Sequence, residues 1–414
     1  MPHSVIIPIT NVFANGGYTA QVKVGSEGAT ANLVLDTGSS SLVVQGEDYQ
    51  PGDDKHLVST SFAQDVTYGL GGWYGPVVQT TVTMGHGPFS VESDGMYVAV
   101  TKKEQQKSFA DADGIMGLAY HELNRAYDLT DYLVANDVTP AKTFPWVLAH
   151  DEQDDTVREF KTFLKQFPKS YLTPYFTHLE EQGVVGDQFA FLLHRSSIYQ
   201  TNSKKTAAQL NRHPLNRGFF VMGKPRLHGH LFQGKFKKVK VLDDKYYNVN
   251  VRSMRVGDGE PMVAPQLDEK DLNHRTNGIV DSGCTFIILP RSMFSFMVNE
   301  MLAINPNFKA VLDPYETFAG VEVGVDMSLI DLKHWPSIFF ELDGLDGEAV
   351  TLELKSSDYW QVHAPEPNQA SFQFAVLEGW PNQCILGLPL IASYFTVFDR
   401  QERENGVILF ADKP

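Results

Sequence analysis

Two carboxylates stand out because each one closes an apolar run. Asp36 follows Leu33, Val34 and Leu35, and Thr37, Gly38 and Ser39 lead on to apolar Leu42-Val43-Val44. Asp281 follows Gly278, Ile279 and Val280, and Ser282, Gly283 and Cys284 lead on to Phe286-Ile287-Ile288-Leu289. Each stretch reads as a buried strand, a tight turn and a second strand. One such Asp is ordinarily a turn residue bonding its own backbone, and an unpaired carboxylate against a core strand is costly. A second copy points instead to chemistry. Paired carboxylates are suited to general acid and base work.

The elements around the acids repeat too. Gly114-Ile115-Met116-Gly117-Leu118 follows the first acid, and Cys384-Ile385-Leu386-Gly387-Leu388 follows the second. Two half-chains of one plan predict a duplicated unit, and a pseudo-two-fold would bring Asp36 and Asp281 together. With the hairpin-like Val66-Thr67-Tyr68-Gly69-Leu70-Gly71 and the closing Tyr394-Phe395-Thr396-Val397-Phe398-Asp399, the landmarks lie in one recognisable order. In this order and over nearly its full length the sequence resembles the pepsin-like aspartic proteases. Its opening gives it the character of the bacterial pepsin homologues.

The resemblance implies an all-β, bilobal fold with pseudo-two-fold symmetry and an active-site cleft between the lobes. It also implies an aspartic endopeptidase of acidic pH optimum that prefers apolar residues around the scissile bond. Asp36 and Asp281 would be catalytic. Thr37 and Ser282 would tie the two turns together, Gly38 and Gly283 would allow close backbone approach, and Ser39 would donate to Asp36. Tyr68 and Gly69 would sit in the flap over the substrate, and Val34 and Ile115 would line an apolar pocket. No cofactor or metal is implied. The expected partners are polypeptide substrates and pepstatin-like inhibitors, bound by a monomer.

Three departures from the family pattern matter. Cys284 stands where a hydroxyl would match Ser39, and a thiol is a weak donor. Val43 stands where a tryptophan usually anchors the flap tyrosine, which leaves Trp73 as a substitute anchor. Cys284 and Cys384 would approach each other if the Ile385-Leu386-Gly387 strand runs beside the Asp281 turn. A disulfide and two thiols both stay open, and the compartment argument favours thiols.

Composition sets limits on the other readings. The 414 residues carry a net charge of −16, which speaks against nucleic acid or an anionic membrane as partner. No apolar stretch approaches the length of a membrane span. With two cysteines and no Asn-x-Ser/Thr site, a reducing compartment is expected. The opening Met1-Pro2-His3-Ser4-Val5-Ile6-Ile7-Pro8 lacks the charged and apolar regions of a signal peptide. With Met1 as the native start the expectation is a cytoplasmic enzyme made without a zymogen; with Met1 added, a secreted one. There is no Gly-x-Ser-x-Gly elbow, no His-Glu-x-x-His and no nucleotide loop. A glycosidase also uses two carboxylates but does not require these turns. The rival is a catalytically inactive relative, the same fold kept as a binding or inhibitor-like module.

Along the chain, Val66 to Met84 reads as a long hairpin. The charge run Asp151-Glu152-Gln153-Asp154-Asp155 reads as a solvated loop. Val157 to Phe167 has helical spacing and reads as an inserted surface helix. Pro174 to Gly183 predicts a short helix stopped by Gly183, and Tyr199 to Arg217 predicts a loop. Gly218 to Gly223 resembles the strand closing the first lobe, so the lobes are drawn as 1–228 and 229–414. His228-Gly229-His230 lacks the partners a metal needs. Arg291 to Ile304 predicts a helix.

Overall fold

The structure is a computed structural model, and it describes all residues except 1–3, 69–70, 106, 149–156, 202, 204 and 319. The chain forms two compact units. The first comprises Met1–Ile7 and Thr19–Val185, the second Pro8–Tyr18 and Gly186–Pro414. Strands build both cores, as the all-β expectation requires. The charge run 151–155 lies outside the described residues.

In the first unit, strand Ala29–Asp36 runs parallel to Gly114–Gly117, with Val34 opposite Ile115 and Asp36 opposite Gly117. Strand Leu42–Gln45 packs antiparallel on the other side of Gly114–Gly117. The chain therefore leaves Asp36, turns, and returns with the Gly114 strand between its two passes. Leu33, Val34, Leu35 and Asp36 are all buried, the pattern of a strand covered on both faces. Gly117 has to be glycine, because a Cβ there would lie 2.5 Å from the Ser40 backbone.

The second unit repeats this crossing. Strand Gly278–Val280 runs parallel to Cys384–Leu386, with Val280 opposite Leu386. Strand Ile287–Ile288 packs antiparallel on the other side of Cys384–Leu386. A Cβ at Gly387 would collide with the carbonyl oxygens of Phe286 and Cys284. Each acid thus sits at the end of a short parallel strand pair whose glycine admits the turn.

The long hairpin is present as Val58–Thr67 against Gly72–Met84, in one register from Thr67↔Gly72 to Ala63↔Pro76 and shifted by a bulge before Ser59↔Val78 and Val58↔Gln79. Helix Val157–Leu164 and strand Lys169–Tyr171 occupy the inserted region. Helix Tyr175–Glu181 ends just before Gly183, whose φ of +67° turns the chain out of the helix. Helix Arg291–Ile304 spans the predicted residues.

Two elements differ from the sequence reading. The units divide at 185–186, upstream of residue 228. Strand Gln188–Leu192 pairs with both Arg217–Met222 and Phe395–Asp399, which draws residues 186–228 into the second unit. The stretch expected as a loop from Tyr199 to Arg217 contains helix Ala207–Leu210. Its start is a capping box, with Thr206 accepting from the Gln209 N–H and the Gln209 side chain bonding back.

Candidate active site

Asp36 is almost fully buried and is held from within its own turn. The Gly38 N–H donates to Oδ1 at 2.8 Å, and the Ser39 hydroxyl donates to Oδ2 at 2.5 Å. Such donors to a carboxylate favour its charged form. The turn is fastened to the following strand as well. Leu118 N–H donates to the Asp36 carbonyl at 2.7 Å, Ala119 N–H to the Ser39 carbonyl at 2.8 Å, and the Ser40 hydroxyl to the Tyr120 carbonyl at 2.6 Å. Thr37 is completely buried beneath the turn.

The second turn has the same skeleton. Gly283 N–H donates to Asp281 Oδ1 at 2.8 Å. Asp281 N–H donates to the Leu386 carbonyl at 3.1 Å, and Leu388 N–H to the Cys284 carbonyl at 2.8 Å. Ser282 is buried like Thr37, whereas Asp281 is half-buried. Cys284 occupies the place of Ser39 and is half-exposed.

Neither cysteine is disulfide-bonded. Cys384 aligns with Gly278 at one end of the strand pair, whereas Cys284 lies beside Leu388 past the other end. Four residues of strand rise separate these levels by about 13 Å, beyond the reach of a disulfide. The Cys384 thiol packs on Met293 Sδ at 3.7 Å, and burial pushes it up to about 12.

Tyr68 has an anchor that sequence reasoning could name only as a substitute. Trp73 Nε1–H donates to the Tyr68 phenolic oxygen at 3.1 Å. The phenol also bonds with the Ser39 hydroxyl. An indole N–H can only donate, so Trp73 donates to Tyr68, while Ser39 donates to Asp36. Burial, followed by the charge of Asp36, raises the phenol well above its ordinary value and keeps it a donor. Val43, in the usual tryptophan's place, is buried in its strand. Gly69 lies outside the described residues.

Val34 precedes Asp36 by two, so their side chains share a face of the strand. Ile115 sits beside Val34 in register. The same rule identifies residues that sequence reasoning passed over. Ile279 precedes Asp281 by two and lies beside Ile385. These two form an apolar cluster with Ile288 and Ala375, and partly buried Phe286, Phe318, Leu377 and Trp380 pack against it. The repeat itself was the available signal.

Among the described residues, no group of three or more His, Cys, Asp and Glu could hold a metal ion. The His228 and His230 rings meet edge to face, 6.1 Å apart. Among the described residues, no helix is long and apolar enough to cross a membrane.

A family model described as eukaryotic aspartyl protease matches residues 17–158 and 174–411. The chain is 22% identical over 408 residues to a beta-secretase of Strongylocentrotus purpuratus, covering 94% of this chain and 66% of that protein. It is 26% identical over 410 residues to pepsin II-2/3 of Oryctolagus cuniculus, covering 95% of this chain and 81% of that one. It is 21% identical over 297 residues to a vacuolar aspartic protease of Candida albicans, covering 69% and 54%. The chain thus spans just under two thirds of the beta-secretase and about half of the vacuolar enzyme.

Proposed function

Because the chain belongs to the eukaryotic aspartyl protease family, we propose that it is an aspartic endopeptidase whose two acids are Asp36 and Asp281. The observation that carries this reading is the repeat at atomic detail. Both acids end a short parallel strand, and both accept a backbone N–H from the glycine two residues on, at 2.8 Å in each turn.

Two carboxylates sharing one proton cannot both ionise readily, and the aspartic-protease dyad is the standard instance of this. The ionised acid takes a proton from a water held between the pair. The protonated acid donates to the scissile carbonyl oxygen as the water attacks, and no covalent intermediate forms. Thr37 and Ser282 brace the two turns. Tyr68 closes over the substrate, and the apolar faces of Val34 and Ile115, with Ile279 and Ile385, favour apolar side chains beside the scissile bond. The enzyme acts as a monomer on extended polypeptides at acid pH, and a statine-type inhibitor occupies the same site.

The test is cleavage of an unfolded protein at acid pH. Asp36→Ala and Asp281→Ala are each expected to lower the rate by at least about 10³-fold, and a statine-type inhibitor to block the parent. A folded parent that cleaves nothing and binds no such inhibitor would replace this reading with that of an inactive binding module.

A further inference from the structure

The family model passes over residues 159–173, and this stretch holds most of helix Val157–Leu164. The helix has one apolar stripe, Val157, Phe160 and Leu164, all buried. That stripe lies on the flap hairpin. Phe160 stacks on Tyr74 of the second flap strand, with ring centroids 4.0 Å apart and planes at 24°. Where that strand begins, a Cβ on Gly72 would lie 3.1 Å from Val157 Cγ1.

From the same helix Lys161 reaches the first flap strand. Its Nζ donates to Thr67 Oγ1 at 3.1 Å and lies 3.7 Å from Asp65 Oδ2. Thr67 is the residue before Tyr68. The Asp65 side chain is wholly buried, and neither of its oxygens has a hydrogen-bond partner among the described residues. Burial raises its carboxyl above the usual range, while Lys161, Arg125 and Lys165 pull it back down; Tyr127 is its other titratable neighbour. Lys161 is therefore the nearest cation to a buried acid in the strand that delivers Tyr68. The second flap strand is backed by Lys103–Gln105, which pairs with Gly72, Trp73 and Tyr74, whereas the first is paired on its outer side at Phe62 and Ala63, so an outside tether on its last residues, Asp65 to Thr67, bears most on its position.

We propose that Lys161 is a positioning residue for Tyr68. Through Thr67 and Asp65 it holds the flap strand where the Trp73–Tyr68–Ser39 bonds are closed, and so sets how firmly the flap closes on a peptide. This rests on the reading of the chain as an endopeptidase.

The experiment compares Lys161→Met, Lys161→Arg and Thr67→Val with the parent in the full chain. KM and kcat are measured on a peptide the parent cleaves, and amide exchange is followed across residues 64–68 and 72–76. Lys161→Met is expected to raise KM about fivefold with kcat changed less than about twofold. Flap amides should exchange roughly tenfold faster, with the rest of the first unit unchanged. Lys161→Arg should keep parental values, and Thr67→Val should fall between. Parental KM and flap exchange in Lys161→Met would overturn the proposal. So would faster exchange across the whole first unit, which marks a general loss of stability. If the parent cleaves nothing, the endopeptidase reading fails, while flap exchange still decides whether Lys161 braces the strand.

Discussion

The first acid turn and the second share a backbone and differ in what surrounds the carboxylate. Around Asp36 the acid is buried, Ser39 gives it a short hydroxyl bond, and Tyr68 and Trp73 extend that bond outward. Around Asp281 the acid is half-buried, and Cys284 stands in the hydroxyl's place. A duplicated skeleton therefore carries two electrostatic environments. Differing environments make two acids hold their protons differently, and the short bond from Ser39 supports the charged form of Asp36.

Removing the donor on the first side should have the largest effect on this contrast. Ser39→Ala strips a charge-assisted bond from Asp36 and breaks the link to Tyr68, so kcat/KM should fall on the order of tenfold to a hundredfold. Peptide kinetics at the parent's optimum measure this. An unchanged value would mean that the bond has no part in supporting the anion.

Placing a hydroxyl on the second side should do less. Cys284→Thr offers a hydroxyl to Asp281, which favours the charged form of the pair. The pair then ionises at lower pH, and the acid limb of kcat/KM moves down by roughly half a unit to one unit. A limb that stays in place would show that Cys284 does not set the difference between the turns.

The smallest effect lies away from both acids, at Asp65. Burial raises its folded-state pKa. Below the ordinary carboxylate range both folded and unfolded chains hold this proton, and Asp65→Asn should match the parent in Tm. As pH rises the unfolded chain releases the proton first, so the parent loses stability until folded Asp65 ionises. The Asn variant escapes that loss. Its Tm should exceed the parent's by an amount that grows from about pH 4 upward and then levels off. Melting curves at three pH values check the sign, and a deficit that grows with pH would mean that the Lys161 pair outweighs the burial cost.

The parts of the molecule legible in the sequence are those with a local pattern. The two turns show as an acid between apolar runs, their partner strands as Ile-Met-Gly and Ile-Leu-Gly, and helix Arg291–Ile304 as periodicity. Helix Ala207–Leu210 was within reach too, since Thr206 and Gln209 spell a capping box. The rest depends on meetings that spacing does not encode. Trp73 finds Tyr68 only because Thr67 pairs with Gly72 and folds the hairpin back. Lys161 finds Asp65 across nearly a hundred residues, and one lysine among many carries no mark of that. The units divide at 185–186 because a late hairpin, Phe395–Asp399 with Val407–Asp412, recruits an early strand.

The two thiols have very different access. Cys384 is sealed in the core and hard to ionise, whereas Cys284 is partly open beside the second acid. Alkylating reagents attack thiolates within reach, so a fluorophore or spin label applied to the folded chain would settle at one address. That address is close enough to Asp281 to report occupancy of the site by a change in signal, with no cysteine having to be engineered in or out.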